Sequence, residues 1–197
     1  GKPGIFSEFF DNTGVSFNAA SMPSLIDRTP DHTRIESQLA YTSMNNAYPG
    51  LDNRFKNDWG ARFSGLIDVP DAGNWTFYLT SDDGSELWLN DSSLVTNYGS
   101  HGMRERSNSI ILDAGLHDFR IEFFQGGGPH GLTLHWEGPN QSKVLIPASA
   151  FKIAEDLTPK RPEATCLIFA EGLSPLGSGS KCAGSSPPSP LSDLAPI

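Results

Sequence analysis

The chain has 197 residues, with 14 Lys+Arg against 23 Asp+Glu and a formal charge of −9 at pH 7. That length fits one ordinary domain, or one domain and a tail; an acidic surface repels phosphate backbones, which excludes nucleic acid as a partner. Gly 20 and Pro 15 mark a turn-rich chain, and 37% hydrophobic residues, 12 of them Phe, are enough for a core.

The opening Gly1-Lys2-Pro3-Gly4 leads into no apolar signal region. Phe6-Ser7-Glu8-Phe9-Phe10 reads as a first strand, and residues 18–54 read as long loops with a short helical piece. Beyond them alternation dominates. Trp75-Thr76-Phe77-Tyr78-Leu79-Thr80 places Trp75, Phe77 and Leu79 on one face. Glu86–Leu89, Ser109–Leu112, Phe119–Phe124 and Leu132–Trp136 repeat the pattern, separated by turn clusters such as Asp82-Asp83-Gly84, Asp113-Ala114-Gly115 and Gly126-Gly127-Gly128-Pro129. Short, evenly spaced strands predict an all-β fold, an antiparallel β-sandwich of jelly-roll-like form with long loops. No stretch approaches the roughly 20 apolar residues of a membrane span, so no direct membrane insertion is expected.

The composition changes after Ala154. Pro159, Pro162, Pro175 and the run Ser185-Ser186-Pro187-Pro188-Ser189-Pro190 support neither ladder nor helix. The expected division is therefore a domain over residues 1–154 and a Gly/Ser/Pro-rich tail or linker over 155–197. Cys166 and Cys182, the only cysteines, both lie in that tail. Paired, they close a loop of about 15 residues, a gain of about 3 kcal/mol in the chain-entropy model, and they point to an oxidising compartment. Sequons at Asn74, Asn90 and Asn140 are compatible with secretion.

Two loops carry candidate chemistry. Asp82-Asp83-Gly84 is a hairpin turn on one reading and a calcium site on the other, since paired carboxylates suit a hard cation. Adjacent strand residues point to opposite faces, so both can meet one ion only if the backbone leaves regular extension, as a cis peptide would allow. Gln125-Gly126-Gly127-Gly128-Pro129-His130-Gly131 has more glycine than a tight turn needs. It is either a flexible hairpin loop or a loop whose carbonyls turn inward on an ion, with Gln125 adding an amide oxygen. Signatures of catalysis are missing: no H-E-x-x-H, Walker loop or G-x-S-x-G occurs. His130 and His135 are possible zinc ligands, though His135 reads better as a sheet-face residue. Glu86, Glu105, Glu122 and Glu137 offer carboxylates for a glycosidase pair, but most of them read as solvent-face charges.

These segments together resemble the anthrax protective-antigen domain family (PA-fourteen). The likeness runs in order through Gly4–Phe10, Trp59–Pro70, Gly73–Leu89, Arg120–Gly128 and Leu145–Phe151, and is most specific at Gly73–Leu89. In lectins of that family, such as yeast flocculins and bacterial adhesins, adjacent aspartates joined by a cis peptide hold calcium. A second loop adds oxygens, and vicinal sugar hydroxyls complete the coordination. The resemblance implies Asp82 and Asp83 as calcium ligands, Gln125 as a side-chain ligand, and main-chain oxygens around Gly126, Gly128 or His130. Gln125 stands where the family often has Asn or Glu-Asn. His130, Tyr98 and His101 are further candidates for sugar contact. The expected function is a calcium-dependent lectin or adhesin domain, without catalysis, that binds glycans at a cell surface as part of a larger extracellular chain. A calcium-stabilised structural module, or an accessory module of a glycoside hydrolase, is the alternative.

Overall fold

The computed structural model describes residues 1–12, 24, 25 and 27–154. The chain divides into units of Gly1–Pro159 and Lys160–Ile197. Only the first holds described residues, so the expected tail at 155–197 and the Cys166–Cys182 pairing lie outside them. Among the described residues, strands follow in the order β1 (Ile5–Asp11), β2 (His32–Glu36), β3 (Ala40–Met44), β4 (Trp59–Val69), β5 (Gly73–Asp82), β6 (Ser85–Leu89), β7 (Ser92–Asn97), β8 (Arg104–Leu112), β9 (Gly115–Gln125), β10 (His130–Gly138), β11 (Gln141–Leu145) and β12 (Phe151–Lys152). They build two antiparallel sheets packed face to face, as expected from the alternation. One runs β2-β1-β4-β9-β6-β7 with β12 beside β4; the other runs β11-β10-β5-β8 with β3 beside β10.

Period-two burial explains the pairing of the layers. Trp75, Phe77 and Leu79 of β5 and Leu132, Leu134 and Trp136 of β10 face Phe63 of β4, Leu87 of β6 and Phe119, Ile121 and Phe123 of β9 in one apolar cluster. Thr76, Tyr78 and Thr80 between them point outward and stay half-buried.

Residues 18–54 depart from expectation. They contain β2 and β3, and their short helical piece is a single 3-10 turn over Asn53–Phe55. Both strands lie at sheet edges and are largely exposed, so His32-Thr33-Arg34-Ile35-Glu36 has no apolar alternation to announce it. Glu86 and Glu122 also depart. They stand opposite each other on β6 and β9, only 4% and 7% exposed. Ser93 and Tyr98 donate hydroxyl bonds to Glu86, while Arg62 pairs with Glu122 at 3.3 Å. Glu105 and Glu137 remain on the solvent face, bonded to Lys143 and Tyr78. His135 is a ladder residue of β10 opposite Tyr78, as its pattern suggested.

Register sets two distinct ends. Trp59 pairs with Gln125 at one, and Val69 with Gly115 at the other. Along β4, where Phe151 and Lys152 pair with Ile67 and Leu66, the amino terminus runs against β12: Pro3 bridges Lys152, and Ile153 N–H donates to Lys2 O at 2.8 Å.

Candidate functional site

At the first end β5 closes on Asp82, and Asp83-Gly84 lead into β6. The peptide joining the two aspartates is cis, the departure from extension that two converging carboxylates call for. Asp82 is 7% exposed and Asp83 5%. Asp83 is bonded from two sides: Oδ1 accepts the His101 N–H and Oδ2 the Gly126 N–H, each at 2.8 Å. One carboxylate thus ties the 98–103 loop to the glycine loop. Gly84 O accepts the Phe124 N–H at 2.9 Å, which fastens the same turn to β9.

Asp82 is different. Among the described residues no side chain or amide donates to its carboxylate, and burial pushes its carboxyl above the ordinary aspartate range. The charge of Asp83 adds to that shift and His101 partly opposes it. Its ionised form is thus less favoured than that of an exposed aspartate, and a nearby positive charge would offset the difference.

Gln125 is fully buried. Its Nε2 donates to Gly128 O at 3.2 Å and Pro129 O at 3.1 Å, folding the glycine loop back on β9. Its Oε1 is buried with no partner. An unmatched buried acceptor costs about 1–3 kcal/mol. Two carboxylates and a free amide oxygen are a donor set for a hard, oxygen-seeking cation such as calcium. No three His, Cys, Asp or Glu side chains converge among the described residues. A cation here would therefore draw its remaining ligands from the amide, the main chain and solvent or a bound hydroxyl. Of the main-chain candidates, Gly126 O already accepts the Asp58 N–H at 2.9 Å, and Gly128 O accepts the Gln125 amide. Each has one lone pair left.

His130 needs correction. Its ring is 1% exposed, stacked on Tyr48 at 6.1 Å and edge-on to Trp59 at 5.5 Å between centroids. Nε2 reaches the Asn46 carbonyl at 2.7 Å, so the side chain turns away from any sugar. Burial lowers its pKa from the ordinary 6.5, the Asn46 bond opposing. The folded state therefore binds fewer protons than the unfolded chain once the pH drops below about 6.5, and stability is lost as the pH falls further. Melting temperatures measured between pH 7 and 5 should decline, and His130→Gln should flatten that decline.

Tyr98 and His101 lie on the loop fastened to Asp83. The Tyr98 hydroxyl is taken by Glu86; burial first and that bond second push it up to about 12. The ring remains 40% exposed. The His101 ring pairs with Gly102 O and Asn97 O at 2.8 and 3.2 Å. Sequence reasoning missed Asn97, which is fully buried. It donates to Ser81 Oγ and Arg104 O and accepts from Arg104 Nε, clamping the loop at its base. No sequence signal marks an Asn that ends a strand in this way.

Anti-sigma-I factor RsgI3 of Acetivibrio thermocellus is 28% identical over 107 residues, which are 54% of this chain and 17% of that protein. An anti-sigma factor domain-containing protein superposes with a TM-score of 0.66 at 24% identity, over 80% of this chain and 51% of that one. The PA14 sugar-binding domain from an RTX adhesin superposes with a TM-score of 0.62 at 16% identity, over 78% of this chain and 100% of that one. At these identities the superpositions establish the fold alone. The chain spans about half the length of the first of these structures. Residues 1–150 match the PA14 domain family, and the chain belongs to it.

Proposed function

We propose that this PA14 domain binds calcium through Asp82, Asp83 and Gln125 Oε1, with main-chain oxygens of Gly126 and Gly128. The bound ion then holds vicinal hydroxyls of a glycan, without turnover. One observation carries the reading: Asp83 bonds the amide of Gly126, next in the chain to Gln125, whose buried Oε1 has no partner. The sugar-binding PA14 domain of the RTX adhesin supports the ligand class. Calcium supplies a charge that the desolvated Asp82 lacks, and an exchangeable face for hydroxyls. A single shallow contact of this kind is weak, so useful adhesion needs several copies or a multivalent glycan. The site belongs in an extracellular, calcium-rich setting, where affinities of about 10⁻⁴–10⁻³ M suffice.

The anti-sigma factor relatives favour a second reading of its context, as the ligand-sensing module of a longer regulatory chain rather than an adhesin. Both contexts use the same site. A glycan array probed in millimolar calcium and again in excess EDTA tests it. Signal on a related set of glycans that EDTA removes is the expected result. Calcium-induced thermal stabilisation with a silent array would instead assign the site to a structural ion.

A further inference from the structure

The loop from Asn97 to Arg104 carries more than an amide for Asp83. Arg104 Nε and a second guanidinium nitrogen hold Asn97 Oδ1 and Tyr98 O. With the Asn97 and His101 bonds, they fix the loop from both ends before any ligand arrives. Fixed loops normally turn apolar side chains inward. Here two of the five exposed large hydrophobic side chains among the described residues, Tyr98 at 40% and Met103 at 38%, stand on it.

Met103 is placed with some exactness by its neighbours. Arg104 pairs with Ser81 on the β8 side of β5, while Gly131 pairs with Asp82 on the β10 side. A Cβ built on Gly131 would lie 2.7 Å from Met103 Sδ and 3.2 Å from its Cε. The thioether therefore crosses β5 at the level of Asp82 and rests on the bare backbone of Gly131. Tyr98 is held elsewhere, its hydroxyl bonded to Glu86 on the outer side of the other sheet.

We infer that Met103 is the apolar wall of the ligand site, packing against the carbon face of a pyranose whose hydroxyls face Asp82 and Asp83. This rests on the calcium-lectin reading and adds a specificity determinant to it. Ion coordination sees two hydroxyls and little else. A wall on one side selects which way the ring lies and which substituents are tolerated, and a thioether adapts its shape to such a face.

The test uses the whole chain and the best glycan from the array, titrated in calcium, with calcium alone titrated separately. Met103→Ala and the near-isosteric Met103→Gln should each weaken glycan binding about tenfold, the loss of one buried apolar contact. Calcium affinity should stay unchanged, and Met103→Leu should recover most of the binding. Glycan affinity within about twofold of the parent in both the Ala and the Gln variants would overturn the wall while leaving the lectin reading intact. A parent chain that binds no glycan in calcium would overturn both.

Discussion

Asp82→Asn is expected to abolish calcium uptake and, in the same protein, to raise the melting temperature measured in EDTA. The two effects share one cause. Asp82 is 7% exposed, its carboxylate receives no hydrogen bond among the described residues, and burial and the neighbouring Asp83 charge both oppose its ionisation. A carboxyl raised in the folded state contributes stability while protonated and loses it as the pH rises through its folded value. At neutral pH the charge therefore destabilises the calcium-free fold, and a neutral amide removes that burden. Calcium affinity should fall by about a hundredfold or more, since ligand charge sets affinity at such sites. Calorimetry with calcium and thermal melts in EDTA check both halves. A lower melting temperature with calcium binding retained would show that Asp82 is a structural turn residue. Asp83→Ala should behave oppositely in EDTA. It strands the His101 and Gly126 amides, at about 1 kcal/mol each, and so lowers the melting temperature while also removing calcium-dependent binding.

Gly84→Ala is the second change with a large expected effect. A Cβ at Gly84 would stand 2.2 Å from Phe124 Cε1 and 3.1 Å from Gly99 O. Phe124 is fully buried, so the ring has little room to retreat. Relief requires the Asp83-Gly84 turn to lift from β9, breaking the Phe124 N–H bond to Gly84 O and drawing Asp83 away from Gly126. The expected cost is about 3 kcal/mol, with loss of calcium-dependent glycan binding even though every proposed ligand remains. Urea unfolding and the calcium titration measure the two effects. Unchanged stability would mean that Phe124 repacks freely.

The same glycine shows what could be read in advance. Asp-Asp-Gly reads as a turn in which glycine supplies a positive φ. Gly84 has no such φ; it is glycine because an aromatic ring from the next sheet strand occupies the place of a side chain. Local sequence records the residue and not the distant reason for it. The central strands were legible because burial on one face leaves Trp75, Phe77 and Leu79 at period two. β2 and β3 were not, since an exposed edge strand needs no apolar face. That omission propagated: His130 seemed free to meet a sugar because nothing announced β3, whose Met44 pairs with it, or the following Asn46 and Tyr48 that enclose its ring. Asp82, Asp83 and Gln125 could be singled out by residue type. The unmatched state of Gln125 Oε1 could not, because it depends on where the Gly128 and Pro129 carbonyls fold.

The pairing of Pro3 with Lys152 has a mechanical consequence. Gly1 and Ile153 come together beside β4, whose Ile67 and Leu66 pair with Phe151 and Lys152, while the aspartate loops lie by the Trp59–Gln125 pair. The first residues and the last described strand thus lie side by side, apart from the aspartate loops. A pull applied at residues 1 and 153 would load β1 and β12 directly and bypass the aspartate loops.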